Sequence, residues 1–141
     1  MIYIEEKDFA RQLELISFIA ERVDCDICAW LYPESLVTEV AGIEITENTS
    51  DLVPVTIYEN GFSPKRTSLS KASTEVISAF TAAQVNIKKS CDSIALYQYS
   101  ESSWLAVTIG HEGMCLVQDE SKLNSLINAG FNASLEAPSW W

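Results

Sequence analysis

The sequence lacks the residues and spacings from which most enzymes and nucleotide-binding proteins are recognised. It contains one histidine, His111, so any Ser-His-acid or Cys-His catalysis would have to use that residue, and it has no Gly-x-Ser-x-Gly motif. Only five glycines occur, and they form no phosphate-binding glycine loop. An EF-hand pattern is absent as well. We therefore expect that the protein is not an enzyme.

Long hydrophobic runs are also absent. The apolar stretch at 15–20 is interrupted by Ser17 and is far too short to span a bilayer. Residues 1–6 contain no basic segment ahead of an apolar one, as a secretory signal would, and neither end carries a lipidation motif. We expect a cytoplasmic protein without a membrane partner.

Four cysteines in 141 residues are too few for a disulfide-based fold, and in a cytosol they remain reduced. Cys25 and Cys28 have the spacing of a redox motif, and with His111 and Cys115 they supply the donors of a Cys₃His zinc site. However, neighbouring acids raise a thiol pKa, and the zinc spacing is not a standard one. The sequence favours buried cysteines that act as small hydrophobic side chains, with no metal or cofactor. It does not show whether the four residues meet in space.

Basic residues are missing from one continuous part of the chain, since no Lys or Arg occurs between Val23 and Pro64. The net charge is −11; residues 1–59 contain thirteen acidic and three basic residues, whereas residues 60–141 contain seven and six. The acids of the stretch without Lys or Arg are Asp24, Asp26, Glu34, Glu39, Glu44, Glu47, Asp51 and Glu59. Such a field repels nucleic-acid phosphates and anionic membranes and attracts cations. We therefore expect a basic protein partner and no nucleic-acid partner.

Three segments have the period of an amphipathic helix. The first follows Asp8, a candidate N-cap; the third begins after Asp119 and ends at Gly130, which suits a helix stop. The three apolar stripes are Phe9, Leu13, Ile16, Ala20 and Val23; Ala72, Val76, Phe80, Ala83 and Ile87; and Leu123, Leu126 and Ile127.

The remaining apolar segments have the character of strands, because they are short and rich in β-branched residues. Gly42 marks a bend, and Pro54 places its strand at a sheet edge because proline cannot donate to a ladder. Residues 62–69 are polar and are predicted to form a loop. The predicted strands are 2–4, 27–32, 36–46, 53–57, 93–99, 104–109 and 114–118.

These patterns predict an α+β fold in one domain spanning 1–141. The sheet is mainly antiparallel, ends in a C-terminal three-strand meander and packs against about three helices. Residues 131–141 form an aromatic C-terminal tail that ends in Trp140-Trp141.

In size, acidity and α+β architecture, and in its lack of a catalytic motif, the chain resembles the immunity proteins that bacteria pair with polymorphic or contact-dependent toxins. The resemblance covers the whole chain and depends on no motif, so no family residues are carried over. It implies a protein-binding inhibitor that neutralises a basic, nuclease-like toxin by occupying its active-site cleft with an acidic surface.

We expect the partner-binding residues to be the eight acids named above, with an aromatic anchor chosen from Trp30, Tyr32 and Tyr58. Alternate side chains of a strand face opposite sides, so about half of the acids can share one surface. Two alternatives remain open. One is an adaptor or oligomerising subunit that uses Trp140-Trp141 and the edge strand at 53–58; the other is a small enzyme centred on His111 or the cysteines. The partner and the oligomeric state are not identified by the sequence.

Overall fold

The computed structural model describes residues 1–46, 65–98 and 103–141. Within these ranges the chain forms four α-helices and an antiparallel sheet of ten strands. The predicted α+β fold with a mainly antiparallel sheet is confirmed. The predicted edge strand at 53–57 lies outside the described residues.

The strands occur in runs separated by helices, and several of the strands contain only two residues. The helices are α1 (Phe9–Ala20), α2 (Thr74–Ala82), α3 (Gln84–Ser90) and α4 (Leu123–Asn128), with a 3₁₀ turn at Glu120–Lys122. The strands are β1 (Ile2–Glu5), β2 (Cys25–Leu31), β3 (Glu39–Val40), β4 (Ile43–Thr46), β5 (Arg66–Thr67), β6 (Ser70–Lys71), β7 (Cys91–Gln98), β8 (Trp104–Ile109), β9 (Met114–Val117) and β10 (Ala133–Ser134).

The sheet has the strand order β10-β1-β9-β8-β7-β2-β5-β4-β3, and β6 also pairs with β2. Strands β7, β8 and β9 are consecutive antiparallel neighbours, so the predicted C-terminal meander is confirmed. The long strands β2 and β7 lie at the centre, while β3 is the last described strand on one side. Residues 39–46, which carry two of the acids, therefore lie at one end of the described sheet.

Side-chain caps fix where the helices begin. The Asp8 carboxylate accepts a hydrogen bond from the Ala10 amide, as predicted, and the Ser73 hydroxyl accepts one from the Val76 amide. The single helix predicted over 72–87 was wrong: Ala83, with φ −93° and ψ 7°, leaves helical geometry and separates α2 from α3.

Two other details differ from the sequence-based expectation. Residues 66–67 were predicted to lie in a loop, but they form β5, and the buried Thr67 hydroxyl accepts a hydrogen bond from the Ala29 amide. A two-residue strand of polar residues has no periodicity to detect. Ile127 was predicted to face inward but is 49% exposed, because the six-residue α4 buries only Leu126 fully.

The two faces of the sheet form two separate hydrophobic clusters, since successive strand residues alternate between faces. The helix-side face packs against α1, whose Leu15, Ile16 and Ile19 are each 1% exposed. Burying such a side chain contributes roughly 1.5–3 kcal/mol. On the opposite face, here called the second face, Trp30 and Tyr97 belong to the other cluster. No helix of the described part of the chain is long and apolar enough to cross a membrane.

Candidate functional site

The described part of the acidic segment places its side chains at the β3 end of the sheet. Glu39 and Glu44 are directly opposite each other in the β3–β4 hairpin and are both exposed. Their neighbours Val40 and Ile43 pack on the helix-side cluster, so the two carboxylates project from the second face. Opposed like charges destabilise a strand pair, and neither glutamate forms an ion pair with a described residue.

The hairpin turn is built for close reversal of the chain. Ala41 and Gly42 both have positive φ, at 51° and 81°, and this is the conformation of a two-residue turn that matches the twist of the flanking strands. The single strand predicted over 36–46, with a bend or bulge at Gly42, was therefore wrong: Gly42 lies in a hairpin turn that separates β3 from β4. The turn holds the two glutamates in register, because it fixes which residues of β3 and β4 face each other.

Exposed apolar residues lie beside these acids. Leu36 is 90% exposed and Val37 is 38% exposed, between Glu34 and Glu39 in the chain. Glu34 is exposed and forms no ion pair within the described residues. We call the surface formed by Glu34, Leu36, Val37, Glu39 and Glu44 the acidic edge. It combines exposed apolar side chains with carboxylates, and many protein interfaces likewise have an apolar centre and a polar rim.

The other predicted acids are distributed differently. Asp26 projects from the second face like Glu39 and Glu44, but in β2 it is directly opposite Lys71 of β6. Asp24 is exposed just before β2. Glu47, Asp51, Glu59 and the predicted anchor Tyr58 lie outside the described residues.

The structure does not support Trp30 as a surface anchor. Its side chain is only 2% exposed, and its indole N–H donates to the Tyr97 hydroxyl at 3.2 Å. It belongs to the second-face cluster because it lies in the central strand β2, where both faces are covered. Tyr32 is half-buried at the end of β2. Burial, together with the nearby Asp92 charge, raises the pKa of Tyr32 to about 12, so its hydroxyl remains protonated.

His111 lies in the β8–β9 turn beside a carboxylate that sequence reasoning missed. Asp92 is fully buried and accepts hydrogen bonds from the His111 amide at 2.8 Å and from its Nδ1 at 2.7 Å. The other ring nitrogen, Nε2, lies 3.6 Å from a Glu112 carboxylate oxygen. The only sequence signal for Asp92 was an acid at the start of an apolar strand.

The histidine and its buried carboxylate resemble the orienting half of a catalytic triad. The hydrogen bonds and ion pairs of the described residues bring no serine, threonine or cysteine to Nε2. Asp92 instead fixes the turn against β7, since its carbonyl also accepts from the Gly110 amide at 2.7 Å. The arrangement has the character of a structural clamp.

The cysteines do not assemble into a site. Cys25 packs in the helix-side cluster and Cys28 in the second-face cluster, because an odd spacing in a strand directs side chains to opposite faces. Burial raises the pKa of Cys25 to about 11 and that of Cys28 to about 12, so both are protonated thiols. Within the described residues, no three His, Cys, Asp or Glu side chains lie close enough to hold a metal ion. The geometry therefore contradicts the redox and zinc alternatives.

The C-terminal tail leaves its tryptophans accessible. Trp140 and Trp141 are 54% and 43% exposed, with their rings edge to face at 6.2 Å. The Trp140 indole N–H donates to a Glu5 carboxylate oxygen at 2.8 Å, which ties the tail to β1. Beside it lies a groove of about 530 Å³ that includes Lys7 and Glu112.

Comparisons of the chain with protein-family models, with curated proteins and with solved structures gave no match.

Proposed function

We propose that this protein is a protein-binding inhibitor that acts without catalysis, and that its acidic edge occupies the basic cleft of a partner protein. The observation that carries the proposal is the Glu39–Glu44 pair, held face to face by the turn at 41–42 with no cation from the described residues beside it. An opposed pair of glutamates costs stability in the free protein. A basic partner supplies the missing cations and removes that cost on binding.

The composition of the acidic edge supports specific recognition. Leu36, at 90% exposure, offers an apolar side chain that a partner pocket can cover. Carboxylates around such a contact steer association and exclude wrong partners, while the apolar contact supplies much of the binding free energy. A surface with these two features suits an inhibitor of a nuclease-like enzyme, because the cleft of such an enzyme is positively charged in order to hold phosphates. It agrees with the role that the resemblance in size, charge and architecture implies.

The experiment is coexpression with any basic protein that is found to be encoded beside the gene of this chain, followed by copurification and by recovery of growth where that protein is toxic. We expect Glu39→Lys with Glu44→Lys to weaken binding about tenfold or more, because like charges then face each other across the interface. Leu36→Ser is expected to weaken binding with little change in its salt dependence. Titration calorimetry at two salt concentrations measures both effects.

A matched control reverses two exposed acids elsewhere in the chain, Glu75 and Glu136. The variant Glu75→Lys with Glu136→Lys has the same net charge as the hairpin variant and should retain binding. If the hairpin variant bound normally and the control variant did not, the assignment of the interface to the acidic edge would be wrong. Copurification without inhibition would contradict the inhibitor role.

A second candidate is an adaptor or oligomerising role, which the exposure of Trp140 and Trp141 favours. Two neighbouring exposed tryptophans are uncommon on a free surface and frequent at interface centres. Light scattering on the full chain and on a chain ending at 138 tests it. A mass above that of a monomer that is lost on truncation would support this role, whereas a monomer in both cases would remove self-association.

A further inference from the structure

A buried arginine on the second face lacks, among the described residues, the partner that such a residue normally has. Arg66 is 7% exposed, and within the described part of the chain its one side-chain hydrogen bond runs from Nη1 to the Thr67 carbonyl oxygen at 2.9 Å. Its Nε is buried and has no hydrogen-bond partner in residues 1–46, 65–98 and 103–141. None of the ion pairs of the described residues includes it. Buried guanidinium groups are nearly always paired, because an uncompensated buried charge is strongly unfavourable.

A second unsatisfied polar group lies in the same row of the sheet. Trp30 of β2 is directly opposite Arg66 of β5 and Ser93 of β7, so all three side chains project from the second face. Ser93 is 5% exposed, and its hydroxyl is buried without a hydrogen-bond partner among the residues that the structure describes. The guanidinium carbon lies 5.8 Å from the centre of the Trp30 ring. The two unsatisfied groups therefore flank one indole ring.

The charge of Arg66 affects the pKa values of neighbouring side chains on the second face. Burial raises the pKa of the Cys28 thiol to about 12, and the Arg66 charge opposes that rise. Arg66 also lowers the pKa of Tyr97 against the dominant effect of burial. The guanidinium thus lies among Cys28, Trp30 and Tyr97, a group of neutral side chains that provides no counter-charge.

Among the described residues, the nearest acid by register on this face is Glu44. Thr46 of β4 is directly opposite Arg66, which makes Glu44 the diagonal neighbour on the same face. Diagonal neighbours in a sheet are about 7–8 Å apart, which exceeds ion-pair distance. Glu44 is exposed and forms no ion pair within the described residues.

We propose that Arg66 and Ser93 form a binding site for an oxyanion, the carboxylate or phosphate group of a small ligand. With Nη1 used by Thr67, the Nε and Nη2 edge of the guanidinium remains, and this edge binds two oxygens of one anion side by side. The Ser93 hydroxyl supplies a further donor, and the Trp30 ring forms an apolar wall. The inference is independent of the acidic edge and of its partner.

The test measures thermal unfolding and titration calorimetry of the full chain with sodium phosphate and with sodium succinate, each against sodium chloride at equal ionic strength. We expect a saturable rise of Tm with one of the two anions, since a ligand that binds only the folded state stabilises it. The anion that produces the rise identifies the group as phosphate or carboxylate. The absence of a saturable response to both anions would overturn the proposal.

Variants locate the site. Arg66→Gln should weaken anion binding about tenfold or more, and Ser93→Ala should weaken it less. Arg66→Lys keeps the charge but loses the two-nitrogen edge, and it tests the site if the glutamine variant does not fold. The matched control is Lys65→Gln, which removes an exposed cation one residue away and should keep the response. Equal loss in the Lys65 and Arg66 variants would show general charge attraction and contradict the proposal.

A carboxylate of this chain would provide the same kind of oxyanion to Arg66 as a small ligand. Glu44→Gln should strengthen anion binding, because it removes a nearby negative charge. If Glu44→Gln instead lowered stability, and the double variant with Arg66→Gln lost less stability than the two single variants together, Glu44 would be the counter-ion and the proposal would fail. A variant with Glu47→Gln, Asp51→Asn and Glu59→Gln should leave the anion affinity within about twofold. A response that appears only in that variant would mean that the chain fills its own site.

Discussion

At the residue scale, the most constrained polar group is the Asp92 carboxylate. It is fully buried, yet it accepts hydrogen bonds from the amide and the ring of His111, and it also accepts one from the Tyr32 hydroxyl. Burial of a carboxylate is tolerated only when such donors replace water. The clamp connects the end of β2, the start of β7 and the β8–β9 turn. The only histidine of the chain is therefore accounted for by stability.

Asp92→Ala is expected to destabilise the protein by roughly 1–3 kcal/mol, because it leaves the His111 amide and the Tyr32 hydroxyl without their acceptor. Urea unfolding measures the change. Glu112→Gln is the control, because Glu112 is the carboxylate of the turn itself and the change affects only its 3.6 Å approach to His111. The stability of this variant should remain within about 0.5 kcal/mol of that of the wild type. Equal stability of the Asp92 variant and the wild type would contradict the clamp.

At the element scale, the β3–β4 hairpin depends on backbone conformation more than on packing. A Cβ at Gly42 would meet no atom within 4 Å, so space does not explain the glycine. Its φ of 81° does, because β-carbons disfavour the left-handed region. Gly110 is the opposite case: a Cβ there would lie 2.8 Å from the Asp92 carbonyl oxygen.

Gly42→Ala is expected to cost roughly 1–2 kcal/mol of stability, and Gly42→Asn clearly less, because asparagine tolerates the left-handed region. Gly110→Ala and Gly110→Asn should both be destabilising, since a β-carbon clashes in each. Thermal unfolding of the four variants is the measurement. Gly42→Asn as damaging as Gly42→Ala would show that the turn conformation is not the cause. The hairpin carries the acidic edge, so Gly42→Ala should also weaken partner binding.

At the scale of the whole molecule, buried thiols and tyrosines make stability sensitive to alkaline pH. Burial raises the pKa of Cys25 from 9.0 to about 11 and those of Cys28 and Cys91 from 9.0 to about 12. The folded state therefore holds these protons more tightly than the unfolded state does. Stability is fully present below about pH 9, where both states are protonated, and it is lost as the pH rises toward 12.

We expect the buried thiols and tyrosines to leave Tm nearly constant from pH 7 to 8.5 and to make it fall steeply between pH 9 and 11. Differential scanning fluorimetry under reducing conditions measures the profile. A Cys28→Ala variant should show a shallower decline, because one of the shifted groups is gone. A Tm that remained constant to pH 11 would contradict the protonated, buried thiols.

The sequence by itself determined the fold class, the caps at Asp8 and Asp119 and the meander, because these depend on local periodicity and on the conformational preferences of single residues. The strand at 66–67 depends on pairing with the distant strand β2, so local patterns did not reveal it. The apolar stripe over 72–87 likewise did not reveal the break at Ala83.

The candidate sites divide in the same way. The sequence itself shows that residues 23–64 contain no lysine or arginine, and this predicted which segment carries an excess of negative charge. Strand pairing alone decided that Glu39 faces Glu44, that Trp30 is buried and that Arg66 lies in one row with Ser93. Register joins residues that are far apart in the chain, and an unsatisfied buried group becomes visible only when its surroundings are known. Composition predicted a basic partner, and the tertiary structure showed which described side chains meet.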